Sequence, residues 1–179
     1  MSDLIIRHAG ESDIPRILEI YAPYIQNTTY SFEYDVPTTE AFTERFRRIT
    51  AFYPWLVAEL DGKVVGYAYG SRMFERAAYS WDADTSVYVD DRYHKMKIGT
   101  KLYNALEKEL FKMGICNLYA IVTGENDRSR AFHEKCGYIQ EAKLSHTGYK
   151  FGRWLDIYWY VKHIREGEPG EMPHPAEKE

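Results

Sequence analysis

Two aspartates alternate with other residues along one short stretch of the chain, "WDADTSVYV", residues 81–89. Successive side chains of a β-strand point to opposite faces, so Asp82, Asp84, Ser86 and Tyr88 would share one face. Carboxylates on a central strand are costly unless they are solvated or used, and one with a raised pKa can act as a general base. The stretch therefore indicates acid–base chemistry on one strand face. The alternative is a capping or solvent-facing aspartate.

A basic turn follows this strand. "DDRYHKMKIGTKLYNALE", residues 90–107, begins irregular and basic and ends as an amphipathic helix. The N-terminus of a helix presents free N–H groups and a partial positive charge, and a glycine there lets an anion approach the backbone. Arg92, His94, Lys95 and Lys97 add full charges ahead of Gly99. The pattern indicates an anion site, with an ordinary solvated strand-to-helix connection as the alternative. The P-loop and dinucleotide-binding glycine patterns are both absent from the sequence.

Helices and strands are mixed along the rest of the chain. Two β-rich runs flank Asp61-Gly62, which favours a tight hairpin and hence an antiparallel part of the sheet. Together these elements predict an α/β domain with a mixed central β-sheet flanked by helices on both faces. A single domain would span residues 1–165, and the Pro/Gly/Glu-rich residues 166–179 are expected to be a disordered tail. The other predicted strands are "LIIRHA", "CNLYAIV", "YIQEAKL" and "WLDIYWYV", and the predicted helices are "SDIPRILEIYAPYI", "TTEAFTERFRRIT", the helix after Gly99 and "ENDRSRAFHEKCG".

Composition excludes several classes of function. The 179 residues carry a net charge of -4, which argues against a general nucleic-acid or anionic-membrane surface. We expect no signal peptide and no membrane span, because long apolar runs are missing. Cys116 and Cys136 suggest neither a disulfide framework nor a metal site, and they are interpreted as small buried hydrophobes. A reducing, cytoplasmic location without a metal cofactor is expected.

Three separated blocks of sequence resemble one known family. They are "AAYSWDADTSVYVDDRYHKMKIGTKLY", "ENDRSRAFHEKCGY" and "GYKFGRWLDI", and the similarity extends from about Leu4 to Val161. The blocks resemble the GCN5-related N-acetyltransferase superfamily, and within it the phosphinothricin N-acetyltransferase group, which includes methionine sulfoximine acetyltransferases. The resemblance implies direct transfer of an acetyl group from acetyl-CoA to the α-amino group of a small amino-acid analogue. It also implies a homodimer.

The resemblance places coenzyme A beside the basic turn. In that family the turn has Arg or Gln, two residues, Gly, one residue, then Gly or Ala, and it wraps the pyrophosphate. Here His94 stands at the first position and Lys97 replaces the first glycine. If that glycine is left-handed, a lysine costs roughly 1–2 kcal/mol but adds a charge near the pyrophosphate. The implied cofactor-binding residues are Val87, Tyr88, Val89, His94, Lys95, Met96, Lys97, Ile98, Gly99, Thr100 and Asn126, with Val87 and Val89 acting through their backbone and Asn126 also capping its helix.

Two residues receive catalytic roles from the resemblance. Asp84 aligns with the family's proposed general base, a glutamate, and is one methylene shorter. The like charge of Asp82 on the same face would raise the pKa of Asp84. His133 aligns with a position where many members of the superfamily have a tyrosine acid for the leaving thiolate, and a purely structural histidine is the alternative.

A substrate of this type carries a carboxylate and a second polar head, which require cations and hydrogen-bond donors. Each candidate could instead be a surface charge or part of the core. Two other functions stay open: an enzyme of the same fold with a different amine, such as a protein N-terminus or an amino sugar, and a non-catalytic coenzyme A-binding module. The candidate substrate-binding residues are Tyr30, Phe32, Arg72, Phe74, Arg76, Lys150 and Arg153.

Overall fold

The computed structural model of the chain describes residues 4–94 and 96–177. No helix in these residues has the length and apolar character needed to cross a membrane. The elements are β1 (Leu4–His8), α1 (Ile14–Asn27), α2 (Thr39–Thr50), β2 (Trp55–Leu60), β3 (Lys63–Arg72), β4 (Asp82–Val89), α3 (Ile98–Lys112), β5 (Asn117–Thr123), α4 (Asp127–Lys135), β6 (Ile139–Lys150) and β7 (Arg153–His163).

Two tight turns set the register of the antiparallel hairpins. Asp61 and Gly62 join β2 to β3 with φ of 50° and 77°, which confirms the predicted hairpin. Phe151 and Gly152 join β6 to β7 in the same way, with φ of 50° and 75°. This second turn was not predicted, because the sequence around it was interpreted as a binding segment. As a result, β6 and β7 are both longer than expected.

The seven strands form one sheet in the order β1-β2-β3-β4-β5-β7-β6. All neighbours are antiparallel except β4 and β5, which are parallel. The two parallel strands pair over three residues only, and Asp84 opposite Tyr119 is the last pair. Strand β4 continues to Val89, so its second half has β3 on one side and a gap on the other. The predicted mixed sheet is confirmed.

Helices cover both faces of the sheet, as predicted. On one face, α3 buries Leu102, Leu106 and Leu110 in a core cluster that includes Ala83 of β4, and Phe132 of α4 packs against the same cluster. On the other face, α1 and α2 form a second cluster with the inward side chains of β2 and β3. Its members include Ile14, Ile17, Ile20, Ile25, Phe42, Phe46, Trp55, Val57 and Tyr67. The sheet is therefore the shared middle layer.

Part of the segment expected to be a disordered tail is held against the domain. The Trp81 indole N–H donates to the carbonyl of Glu171 over 3.3 Å. The N–H of His174 donates to Met113 O over 3.0 Å, and that of Ala176 donates to Phe52 O over 2.8 Å. Composition alone suggests a free tail, but these groups give residues 171–176 defined contacts at the end of α3.

Candidate active site

A cleft of about 660 Å³ opens where β4 and β5 part. Its walls are the second half of β4, the end of α1, the start of α3 and one side of α4. The cleft begins where the pairing of β4 with β5 ends, just beyond Asp84. An extended ligand can therefore lie beside β4 as an additional strand would.

The open edge of β4 carries backbone groups that point into this gap. The Asp90 N–H donates to Val65 O of β3 over 2.9 Å, so alternate residues, Val87 and Val89, direct their amides to the opposite edge. Both valines line the cleft. Their N–H and C=O groups suit a ligand that carries amides.

Helix α3 begins at one end of the cleft without a side-chain cap. Its N-cap residue, Lys97, has φ 59° and ψ 18°, which is left-handed, and makes no capping hydrogen bond. Ile98, Gly99 and Thr100 of the first turn line the cleft together with Lys97. Free N–H groups, the helix dipole and the lysine charge make this end an anion site. Lys97 therefore meets the condition under which a lysine at the glycine position costs roughly 1–2 kcal/mol.

His94 joins the basic turn to β4 and α4. The Arg128 guanidinium, which can only donate, lies 2.7 Å from His94 Nδ1, so that nitrogen accepts. His94 Nε2 therefore carries the proton and donates to Val89 O over 3.0 Å. The Tyr24 hydroxyl donates to the same carbonyl over 2.6 Å. His94 thus connects the end of β4 to Arg128 of α4.

Helix α4 supplies residues that sequence reasoning missed. Asn126 Oδ1 accepts from the Ser129 N–H over 3.1 Å, so the expected capping role is present. Arg128, Phe132 and Lys135 line the cleft at spacings of four and three residues, which is one face of the helix. That periodicity was visible in the sequence and could have predicted them. Tyr24, Asn27 and Thr28 of α1 and its C-cap are further lining residues without such a signal.

Most predicted cofactor-binding residues meet at this cleft, but Tyr88 and Met96 of the described residues do not. The Tyr88 side chain points to the opposite face, where it packs edge-on against Tyr21 and Tyr24. This follows from strand alternation. Met96 is solvent-exposed and Lys95 lies outside the described residues. Those that line the cleft are Val87, Val89, His94, Lys97, Ile98, Gly99, Thr100 and Asn126.

Asp84 lies at the apex of the gap, opposite Tyr119. Protein atoms surround its carboxyl closely although the residue keeps some solvent contact, and this burial raises its pKa to about 7. Hydrogen bonds from the Thr85 N–H and the Ser71 hydroxyl act in the opposite direction. The expected effect of Asp82 is not the cause, since Asp82 Oδ1 accepts instead from Asn117 Nδ2 over 2.7 Å. A carboxyl with a pKa near 7 suits a general base at neutral pH.

Comparison with known proteins decides the family. The acetyltransferase (GNAT) domain model matches residues 6–159. The chain belongs to the GNAT acetyltransferase family. It is 34% identical to a phosphinothricin N-acetyltransferase of Streptomyces viridochromogenes, over 96% of this chain and 93% of that protein. It is also 34% identical to an L-methionine sulfoximine/L-methionine sulfone acetyltransferase of Pseudomonas aeruginosa, over 85% of this chain and 90% of that protein.

A solved structure supports the same assignment. A GNAT phosphinothricin acetyltransferase from Sinorhizobium meliloti, in complex with acetyl-CoA, matches with a TM-score of 0.91 and 30% identity. The match covers 96% of each chain. The resemblance inferred from three blocks of sequence is thus confirmed, and this chain is an N-acetyltransferase.

In this GNAT acetyltransferase, the surroundings of His133 argue against an acid role. The side chain is 4% exposed and does not line the cleft. Its Nδ1 donates to Ser129 O over 2.7 Å, and burial lowers its pKa to about 4. The neutral ring can therefore only accept at Nε2, from the Tyr103 hydroxyl 2.9 Å away. Such a histidine has no proton to give a thiolate, so the structural alternative fits better.

Arg72, Phe74 and Arg76, three predicted substrate-binding residues, lie at the end of β3 and in the loop that follows it. Ser71 pairs with Asp84 across the strands and so shares its face. Arg72, the next residue, points to the α3 face and lines a separate small cavity with Tyr53 and Met172. Arg76 is exposed on the loop. Phe74 lies 6.0 Å from Trp159 between ring centroids, and of the three it is the one that reaches the neighbouring strands.

The two cations of "GYKFGRW" are engaged within the protein. Arg153 forms a two-point contact with Glu125, at 3.1 and 2.8 Å, on the surface. Lys150 is buried, and its ammonium donates to the carbonyls of Ile25, Thr28 and Ser31. Their predicted role as substrate cations is not supported. The reason is that acceptors far away in sequence already satisfy both groups.

The two aromatic candidates lie on the segment that follows α1. Tyr30 lines the cleft and is partly exposed. Phe32 packs so closely on Gly148 of β6 that an added Cβ there would lie 2.2 Å from its ring. Tyr30 stays a candidate for ligand contact, whereas Phe32 belongs to the contact between this segment and the β6–β7 hairpin.

The remaining expectations concern thiols and metals. Cys116 is buried, Cys136 is half-buried, and neither forms a disulfide. Residues 4–94 and 96–177 contain no group of three or more potential metal-binding side chains.

Proposed function

We propose that this enzyme transfers the acetyl group of acetyl-CoA to the α-amino group of a small amino-acid analogue of the phosphinothricin or methionine sulfoximine type. The main support for this proposal is a continuous binding path for an extended ligand along the open edge of β4. It begins at the positive N-terminus of α3 and ends at Asp84, the apex of the gap. The names of the relatives support the substrate class. Two unpaired cysteines agree with a cytoplasmic location.

The path suits the parts of acetyl-CoA in order. The first turn of α3 with Lys97 faces the pyrophosphate, and Arg128 and Lys135 add charge along α4. The amide groups of Val87 and Val89 pair with the pantetheine amides, which brings the thioester toward Asp84. These residues line the cleft, although the Val89 carbonyl already accepts from Tyr24 and His94, and Arg128 already donates to His94.

The chemistry then requires one proton acceptor from the protein. Asp84, acting through a bridging water because its side chain is short, takes a proton from the substrate ammonium. The free amine attacks the thioester carbon, and a strand N–H stabilises the oxyanion. The nitrogen of the tetrahedral intermediate loses its second proton to solvent, collapse breaks the carbon–sulfur bond, and solvent protonates the released coenzyme A thiolate. The products are the N-acetyl amino acid and coenzyme A, and no covalent enzyme intermediate forms.

Binding of acetyl-CoA is the first expected result. At a concentration a hundred times the Kd, linkage contributes about 2.7 kcal/mol and raises the Tm by roughly 5–10 °C. Thermal unfolding with and without the ligand measures this, and calorimetry gives the Kd. If acetyl-CoA neither shifts the Tm nor gives a heat of binding, the proposal is refuted.

A panel of amines tests the acceptor. We expect release of free thiol with phosphinothricin or methionine sulfoximine, and little with peptides or aminoglycosides. Turnover of a peptide N-terminus or an amino sugar alone would identify a GNAT enzyme with another amine. Binding of acetyl-CoA without turnover of any amine would identify a non-catalytic module.

Two variants of Lys97 separate its charge from its backbone. Lys97→Ala removes the charge but keeps a Cβ at a left-handed position. We expect weaker acetyl-CoA binding, most clearly at low salt, with unchanged stability. Lys97→Gly should bind acetyl-CoA as weakly as Lys97→Ala does, but it should unfold at a higher urea concentration than the parent. Relief of the backbone strain contributes about 1 kcal/mol to its free energy of unfolding. Urea unfolding and titrations at two salt concentrations measure both effects. Equal affinity of Lys97→Ala and the parent at low salt would contradict the charge role.

We also propose a homodimer, and β6 is the edge that supports it. This outer strand exposes Ile139 and Leu144. The aromatic "WLDIYWYV" is not an edge, since β7 lies between β5 and β6. Light scattering of the parent and of Leu144→Glu tests the dimer, which should dissociate in the variant.

A further inference from the structure

The Lys150 ammonium occupies an unusual site at the end of β6. The side chain is 3% exposed, and its nitrogen donates to Ile25 O over 2.7 Å, Thr28 O over 2.9 Å and Ser31 O over 2.6 Å. Three protons thus meet three acceptors. All three carbonyls belong to one stretch, residues 25–34, which we call the wall segment. Lys150 is about 120 residues away in sequence.

These carbonyls need a partner because of where α1 ends. Ile25 lies in the last turn of the helix, and Thr28 is the C-cap. The last carbonyls of a helix receive no hydrogen bond from an N–H group within the helix. A cation also interacts favourably with the negative end of the helix dipole. The Thr28 hydroxyl donates to Tyr24 O over 2.6 Å, and Lys150 supplies the positive charge and the hydrogen bonds to Ile25 O and Thr28 O.

Other contacts bring the same two parts together. The Tyr34 hydroxyl donates to the backbone carbonyl of Tyr149, beside Lys150. Phe32 covers Gly148. The Thr29 hydroxyl donates to Glu125 over 3.0 Å, immediately before the cap residue of α4. The β6–β7 hairpin and the wall segment thus behave as one docked unit.

The wall segment faces the cleft. Asn27, Thr28 and Tyr30 line it, opposite the first turn of α3 and the lining face of α4. A displacement of this segment would change the width of the cleft without touching Asp84. The position of the wall is therefore separable from the chemical step.

We propose that Lys150 is a positioning residue, which with Tyr34 docks the wall segment onto the β6–β7 hairpin and so sets the acetyl-CoA cleft. The proposal rests on the proposed function for its ligand. It differs from the sequence-based prediction, in which Lys150 contacted the substrate.

The test compares Lys150→Met with Lys143→Met. Methionine keeps the shape and removes the charge and the donors. Lys143 is on the same strand, but it is exposed and paired with Asp156. We expect Lys150→Met to raise the Kd and KM for acetyl-CoA about tenfold, with kcat at saturation within about threefold. Amide hydrogen exchange should accelerate in residues 28–34 and stay unchanged in the β2–β3 hairpin. The Lys143→Met protein should match the parent throughout.

A second variant keeps the proposal testable if Lys150→Met does not fold. Tyr34→Phe removes only the hydroxyl of a side chain that is 65% exposed, so the core is unaffected. It should raise the Kd about two- to threefold and increase exchange in the same segment. Parental affinity and exchange in both variants, or in Tyr34→Phe when the other is unfolded, overturn the proposal. A parent that binds no acetyl-CoA refutes the proposed function instead, and the exchange data then still decide the docking.

Discussion

Asp84→Asn is expected to lower turnover by roughly 10²–10⁴-fold, with modest change in the Kd for acetyl-CoA. Asparagine keeps the size of the side chain and removes its basicity. Asp84→Glu should retain much of the activity, because it restores the residue found at this position in the family. Thiol release under saturating conditions measures both variants. Turnover of a folded, ligand-binding Asp84→Asn protein within a few-fold of the parent would show that another group accepts the proton.

The pH dependence follows from the raised pKa of about 7. The base must be ionised, so kcat/KM of the parent should fall about tenfold per pH unit below pH 7. This acidic limb should be altered or absent in Asp84→Asn. A parent profile that stays flat down to pH 5 would contradict the assignment.

Asp84→Asn should also have a higher free energy of unfolding than the parent. A purely structural role of Asp84 would predict the opposite. Folding raises the pKa of Asp84 above its unfolded value near 4, so the native state binds the extra proton between pH 4 and 7. The parent therefore loses stability as pH rises through this window. At pH 8, Asp84→Asn should gain on the order of 2 kcal/mol, and at pH 4 almost nothing. Asp82→Asn, on the same strand face but bound to Asn117, is the matched control for activity.

Asp90→Ala is expected to cost about 3–5 kcal/mol of unfolding free energy. Asp90 is 9% exposed and accepts from Arg92 and from Arg16, which also donates to Val64 O over 3.0 Å. Without the carboxylate, the mostly buried Arg16 loses its buried partner and keeps the exposed Glu19, at 2.8 Å, and the Val64 carbonyl. Asp91, Tyr93 and His94, which follow Asp90, line the cleft, so acetyl-CoA affinity should fall as well. Urea unfolding and calorimetry measure the two effects.

The control for Asp90 is a surface pair of similar geometry. Glu11 and Arg47 form a two-point contact in solvent, and Glu11→Gln should leave the urea midpoint of unfolding nearly unchanged. The hydrogen bonds from Arg92 and Arg16 hold the pKa of Asp90 well below its usual range. Its contribution is therefore complete above the unfolded pKa near 4 and is lost as pH falls toward the folded value. The difference between Asp90→Asn and the parent should shrink below pH 4, and a constant difference would contradict the ionic account.

Local signals in the sequence predicted the parts of the site that depend on local geometry. Asp61-Gly62 indicated a hairpin, and alternation placed Asp84 on one face of its strand. Asn126 was recognised as a cap from its place before a short helix. Each of these properties is determined within a few residues, so the sequence contains the necessary information.

The roles of the distant cations could not be predicted in the same way. Lys150 and Arg153 have suitable charges for a substrate, but their partners lie about 120 and 28 residues away in sequence. Nothing in "GYKFGRW" shows that Phe151-Gly152 forms a turn instead of a binding loop. Arg72 was misplaced because its face depends on the register of β3 against β4. Such contacts arise only when the sheet assembles.

The parting of β4 and β5 also has a mechanical consequence. The two strands are joined at one end by three paired residues, and they separate beyond Asp84, the last residue of β4 in that pairing. When β4 and β5 move apart or together as a long ligand enters or leaves, the displacement is smallest next to the paired residues. The carboxyl at the apex therefore keeps its surroundings while the far end of the cleft adapts. A ligand lying between β4 and β5 also connects the two parts of the sheet, so acetyl-CoA would act as an eighth strand that can dissociate.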